Sequence, residues 1–252
     1  MSRNGAPLKS SLSRGDVCYG AWCMIPSPFV VEVFCHQPYD WIALDLQHGL
    51  WAHDQMVMAL QVIDGFGLPS IVRVNGSDRW EIGRVLDAGA SGVIVPMVDS
   101  RTDAEEAVSA CRYPPLGVRS FGPVRAALGR PEWTTDKAND EVLCIIMIET
   151  PGGLDNLADI LAVPGVDAIL VGAVDLSLTH GVFGDEPSRW DLVERVFEEC
   201  RNQDIPYGIA VGSAADARTA VKMGASLMAL APDAWMLSDA IAAHLSACGV
   251  TR

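Results

Sequence analysis

The sequence predicts a closed barrel of eight parallel strands, each followed by a helix, and three observations carry that expectation. The chain has 252 residues, 50% of them hydrophobic, close to the roughly 200–250 residues over which α/β barrels fold around one core. Short β-branched and apolar runs alternate with helical patterns over most of the length. The strands marked in this way number eight, a count that favours closure over an open doubly wound sheet.

The strands are expected at residues 17–22, 41–45, 70–74, 92–96, 144–149, 168–172, 206–210 and 227–231. Each is close to continuously apolar, as in Ile-Val-Arg-Val or Ala-Ile-Leu-Val-Gly, the pattern of strands buried on both faces in a parallel sheet. Between them lie core-facing helix stripes: Leu154, Leu157, Ile160 and Leu161 on one segment, and Trp190, Val193, Val196, Phe197 and Cys200 on another. Helix starts are expected at Thr102 with Glu105, Ser188 with Asp191 and Ser213 with Asp216, each a side-chain acceptor followed three residues later by a carboxylate. Gly65, Gly89 and Gly224 fall where helices should stop. The stretch 97–143 breaks the rhythm, and a connection that long is expected to be a lid or binding loop. Residues 233–247 read as an amphipathic helix that closes the barrel or docks on a neighbouring chain. No GxGxxG follows the first strand, which leaves a dinucleotide fold with little support. The whole of 1–252 is read as one domain, without internal repeats or low-complexity segments.

Charge narrows the partners. Eighteen Lys and Arg against 32 Asp and Glu leave a net charge of −14. Nucleic acid and anionic membrane surfaces both reward clustered cations, so neither is expected; small molecules or other protein chains are. The seven cysteines are scattered and form no CxxC pair, which suggests neither a disulfide framework nor a thiolate zinc site. The N-terminus lacks an apolar signal region and no run approaches a membrane span, so a cytoplasmic location is expected. Asn75-Gly76-Ser77 is read as a chance glycosylation sequon.

Chemistry in such a barrel sits at the C-terminal ends of the strands. Few polar residues stand there: Asp45 and, three residues on, His48; Arg73; Glu149; and Asp175 after Gly172. Successive parallel strands lie about 4.8 Å apart, so Glu149 and Asp175 can converge. Two carboxylates that close either share a proton or flank a cation, and an all-oxygen pair suits Mg²⁺ or Mn²⁺. Equally, Glu149 can be the favourable first acid of the next helix and Asp175 a helix cap. Arg73 needs an anion, either Asp45 or a substrate carboxylate or oxyanion. Asp45 can orient the His48 imidazole, unless that ring merely satisfies a loop carbonyl. The turn at Gly172 can receive a carboxylate on its amides or be a plain βα turn. Trp22 walls the pocket or fills the core.

Taken together, these segments resemble the metal-dependent 2-oxo acid aldolases that include 4-hydroxy-2-oxoheptanedioate aldolase and 2-dehydro-3-deoxyglucarate aldolase. The resemblance rests on Asp40-Trp-Ile-Ala-Leu-Asp-Leu-Gln-His48, Gly89-Ala-Ser-Gly-Val-Ile-Val-Pro-Met97, Arg112-Tyr-Pro-Pro-Leu-Gly-Val-Arg-Ser120, Ile148-Glu-Thr150 and Gly165-Val-Asp-Ala-Ile-Leu-Val-Gly-Ala-Val-Asp-Leu-Ser177. It implies a (β/α)8 TIM barrel assembled as a homo-trimer or homo-hexamer, with the C-terminal helix exchanged between subunits. It also implies a divalent ion (Mg²⁺ or Mn²⁺, with Co²⁺ a further candidate) on Glu149 and Asp175. Arg73 would bind the 2-oxo acid and its enolate oxygen, His48 with Asp45 would handle the proton, and the amides near Gly172, Val174 and Asp175 would receive the pyruvate carboxylate. No lysine ends a strand where a Schiff base would need one, in keeping with the metal route.

Three positions depart from the family pattern: Gln47 where Glu is usual before the histidine, Met147 where Gln precedes the metal Glu, and Ala173-Val174 where Pro-Ala precedes the metal Asp. They place the aldehyde acceptor, not the core chemistry, in question. The expected activity is reversible cleavage of a 4-hydroxy-2-oxo acid to pyruvate and an aldehyde. Alternatives are oxaloacetate decarboxylation or another enolate condensation on the same site, or a catalytically silent assembly subunit. Arg73→Ala is expected to abolish turnover with little loss of fold.

Overall fold

A computed structural model describes residues 5–250. Eight parallel strands close in sequence order: β1 (Cys18–Cys23), β2 (Trp41–Asp45), β3 (Ser70–Arg73), β4 (Gly92–Val95), β5 (Leu143–Ile148), β6 (Ala168–Val171), β7 (Tyr207–Ala210) and β8 (Leu227–Pro232), with β8 pairing back onto β1. All eight expected strands are present, with ends that differ by at most one residue. The helices are α1 (Ala6–Ser13), α2 (Pro28–Cys35), α3 (His53–Phe66), α4 (Arg79–Asp87), α5 (Arg101–Cys111), α6 (Thr135–Glu141), α7 (Pro151–Asp155), α8 (Leu157–Leu161), α9 (Ala173–Thr179), α10 (Glu186–Asn202), α11 (Ala214–Lys222) and α12 (Asp233–Ala247).

The period-2 alternation of each strand sorts side chains into two cores. On β5, Cys144, Ile146 and Ile148 face the helical layer, and Leu143, Ile145 and Met147 fill the barrel. The interior is packed with Trp41, Ala43, Ile71, Ile94, Leu170 and Leu227, so it is a core and not a pore. Leu8 and Leu12 of α1 join that interior cluster and plug its N-terminal end.

Several expected boundaries are corrected. Helix α5 is capped by Ser100, whose hydroxyl accepts from the Asp103 amide, two residues before the expected Thr102. Helix α10 begins at Glu186, and Ser188 lies inside its first turn with its hydroxyl donating to Asp185. Ser213 does cap α11. Gly65 does not end its helix: α3 continues to Phe66, and Gly67 takes the left-handed turn at φ 73°. Gly89 and Gly224 adopt positive φ just past α4 and α11, where they were expected.

The long connection is also corrected. Residues 112–134 are held by arginines: Arg112 on Asp167, Arg119 on Asp87, Arg125 on Asp64 and the Ala88 carbonyl, and Arg130 on Glu141. Those partners stand at the starts of β5 and β6 and the ends of α3 and α4. The segment is therefore a strap at the N-terminal end of the barrel, not a lid over its mouth.

Helix α12 leaves the barrel almost unaccompanied, with Trp235, Leu237, Ile241 and Leu245 exposed. Among the described residues, no helix is long and apolar enough to cross a membrane.

Candidate active site

The same alternation that packs the interior decides which side chains reach the mouth. Inward residues on β2 run Trp41, Ala43, Asp45; on β3, Ile71 and Arg73; on β5, Leu143, Ile145, Met147 and then Glu149; on β6, Ala168, Leu170 and then Gly172. The uppermost interior layer is thus Trp22, Asp45, Arg73 and Met147. Glu149 and Gly172 stand one step above it.

Asp45 and Arg73 are direct partners in the β2–β3 register. Arg73 Nε donates to Asp45 Oδ1 at 2.8 Å and Nη2 to Oδ2 at 2.6 Å, a bidentate fork with both groups buried. Trp22 Nε1 also donates to Oδ2 at 3.2 Å, and the guanidinium carbon lies 4.9 Å from the centre of the Trp22 ring. Burial alone would raise the Asp45 pKa, but the hydrogen bonds and charge of Arg73 outweigh it and hold the carboxyl below its ordinary value. The anion Arg73 required is therefore first of all Asp45. Its Nη1 lies 4.0 Å from the Met147 sulfur, and both side chains line the cavity.

His48 reaches the mouth, but not in the expected way. Asp45 Oδ1 accepts from the backbone amides of Gln47 and His48 at 3.1 and 3.2 Å. The carboxylate shapes the turn that carries the imidazole, and the ring itself lines the cavity. The Gln47 side-chain oxygen is buried with no hydrogen-bond partner among the described residues.

Glu149 is 2% exposed and lies one residue before Thr150, the cap of α7, so it is not that helix's first acid. Its Oε1 accepts from the Met97 amide at 2.9 Å. Met97 holds a positive φ of 56°, a conformation costing a non-glycine residue about 1–2 kcal/mol, and it is this turn that brings the N–H to Glu149. Asp175 occupies the first turn of α9, whose cap position is Gly172, so it is not a cap either. Burial first, then the charges of Asp175 and Asp99, push the Glu149 pKa up against the opposing pull of the Met97 amide and Arg73.

The pair fits a divalent ion. Glu149 is buried and its proton affinity is raised, in part by the charge of Asp175, so a cation would relieve both burial and repulsion. A Cβ on Gly172 would stand 2.6 Å from Glu149 Oε2 and 2.9 Å from the Met147 methyl, so glycine there leaves room for the carboxylate. Among the described residues no group of three or more His, Cys, Asp or Glu converges on a metal position. An ion would rest on two carboxylates, with its other positions open to water and substrate.

The expected carboxylate cradle is modified. The Gly172 amide donates to the Ile148 carbonyl at 3.0 Å and is not available to a substrate. Gly172 contributes space, and the first-turn amides of Val174 and Asp175, which have no intrahelical carbonyl to bond, remain.

Trp22, His48, Arg73, Met147, Gly172, Val174 and Asp175 all line one cavity of about 210 Å³ at the mouth. Sequence reasoning missed three contributors. Met97 acts through its backbone, for which no sequence signal exists. Asp233, 2% exposed, accepts from the Met24 and Ile25 amides at 2.9 and 3.0 Å and ties the start of α12 to the loop after β1. Trp235, thereby positioned over the cavity, was read only as part of an amphipathic stripe.

Known aldolases resemble this chain in sequence and fold. A sequence model described as HpcH/HpaI aldolase/citrate lyase matches residues 19–240. The 2-dehydro-3,6-dideoxy-6-sulfogluconate aldolase of Pseudomonas putida is 35% identical over 91% of this chain and 92% of its own. The 4-hydroxy-2-oxo-heptane-1,7-dioate aldolase of Escherichia coli is 31% identical over 95% of each. A crystal structure of an HpcH/HpaI aldolase/citrate lyase family protein from Burkholderia cenocepacia superposes with a TM-score of 0.91 at 30% identity, covering 97% of this chain and 99% of that one.

Proposed function

The chain belongs to the HpcH/HpaI aldolase/citrate lyase family, and from that premise we propose that it is a class II pyruvate aldolase. The reaction is reversible cleavage of a 4-hydroxy-2-oxo acid to pyruvate and an aldehyde. What carries the reading is one cavity at the C-terminal mouth lined by Arg73, which Asp45 holds in a buried fork, by His48 and by Asp175, with Glu149 buried beside its Gly172 wall.

Each residue then has a task. Glu149 and Asp175 would hold the divalent ion, Mg²⁺, Mn²⁺ or Co²⁺, with Glu149 steadied by the Met97 amide. When bound, that ion supplies positive charge beside the oxygen that gains charge as the carbon–carbon bond breaks. Arg73 presents Nη1 to the same oxygen, pre-aimed because Asp45 and Trp22 fix the rest of the guanidinium. In cleavage, His48 takes the proton from the C4 hydroxyl as the C3–C4 bond breaks. The aldehyde departs, and the proton held by His48 is delivered to C3 of the enolate to give pyruvate, which returns the imidazole to its neutral form; in condensation the steps reverse. Asp45 is a positioning residue, holding Arg73 and the His48 turn. The Val174 and Asp175 amides receive the pyruvate carboxylate. The exposed apolar face of α12 supports exchange of that helix between subunits of a trimer or hexamer.

The test is pyruvate release from a panel of 4-hydroxy-2-oxo acids, followed by reduction to lactate. Release should stop on chelation and return with Mg²⁺ or Mn²⁺. Full activity in a metal-free preparation would end the class II reading.

A further inference from the structure

The cavity is chemically two-sided. Its ionisable lining groups, His48, Arg73 and Asp175, come from the loop after β2, from β3 and from α9. The opposite wall, built by the loop after β1, the end of β7, β8 and the start of α12, presents Met24, Ala210, Val211, Leu230, Pro232 and Trp235. No charged side chain lines that wall among the described residues. The nearby Asp233 carboxylate is spent on the Met24, Ile25 and Ala234 amides. Trp235 lies across Gly212, where a Cβ would meet its ring at 3.5 Å.

We infer that this wall is the acceptor subsite and that it takes an apolar, uncharged aldehyde, one with an alkyl or aryl tail. The inference rests on the aldolase reading above and deepens it. Pyruvate would occupy the charged side, where the one Lys or Arg among the described lining residues, Arg73, is already paired with Asp45. The aldehyde carbonyl carbon must meet C3 of the enolate, with its oxygen toward His48 to receive the returning proton. Its tail then extends along the apolar wall. A tail carboxylate would be buried there without a partner, at a steep cost, whereas each buried methylene improves binding about fourfold.

The experiment has two arms on the metal-loaded protein. The first follows exchange of the pyruvate methyl protons with D₂O, which needs no acceptor and reports on the enolate half alone. The second compares kcat/KM for condensation of pyruvate with 4-methylpentanal and with succinic semialdehyde, a pair differing by an isopropyl group in place of a carboxylate of similar shape. We expect exchange, and a preference of at least tenfold for 4-methylpentanal. Trp235→Arg, confirmed by sedimentation to keep the wild-type assembly because α12 is placed between subunits, should move the ratio at least tenfold toward succinic semialdehyde, and Trp235→Phe should leave it near the wild-type value. Exchange with equal or reversed acceptor preference overturns the acceptor inference alone, as does a ratio that Trp235→Arg leaves unmoved. Absence of exchange overturns the pyruvate-enolate reading and the acceptor inference with it.

Discussion

Arg73 and Asp45 depend on each other more than either depends on a substrate. Removing the guanidinium leaves a fully buried carboxylate without its fork, so Arg73→Ala should destabilise the protein by about 3–5 kcal/mol. The sequence-based expectation that this substitution spares the fold is thereby revised. In urea titrations, Asp45→Ala, Arg73→Ala and the double variant should form a cycle in which the double variant loses less than the sum of the singles, by up to about 3 kcal/mol. Strict additivity would show the pair to be uncoupled. The pH dependence follows from the depressed carboxyl of Asp45. Its folded-state pKa lies below the unfolded value of about 3.9, so in the interval between them the unfolded state binds more protons. The stabilisation is complete above that interval and is lost as pH falls through the folded value. Stability curves of wild type and Asp45→Asn should therefore converge on acidification below about pH 4; a constant gap down to pH 2 would contradict the assignment.

At the scale of elements, strand alternation made most of the site legible in advance. Asp45, Arg73 and Glu149 end runs that carry no other charge, and period 2 turns each of them inward at the mouth. The details that escaped are those alternation does not encode. The Asp45 carboxylate bonds to the His48 amide and not to the ring, because a three-residue turn folds its amides back on the acid. The Gly172 amide completes the β5–β6 ladder and is lost to any ligand. The 112–134 segment looked like a lid by length alone, but its arginines find their acids at the far end of the barrel. Helix α12 was legible as amphipathic, and it exposes apolar residues that a lone chain would leave in water. Deleting residues 238–252, which spares Asp233 and Trp235, should lower the mass measured by sedimentation while the barrel's circular dichroism persists. An unchanged mass would remove α12 from subunit assembly.

For the whole molecule, one division of labour explains the arrangement. The N-terminal end is closed by α1 and strapped by arginine–carboxylate pairs, so the chemistry is left to the mouth. There, burial and the charge of Asp175 raise the proton affinity of Glu149, an arrangement that a divalent cation would convert from cost into binding. Isothermal titration of Mn²⁺ into metal-stripped protein tests this most directly, with Glu149→Gln and Asp175→Asn titrated alongside. The account predicts one ion per chain in the wild type and at least a tenfold loss of affinity in each variant, with the fold intact by circular dichroism. Unchanged Mn²⁺ affinity in both variants would contradict it.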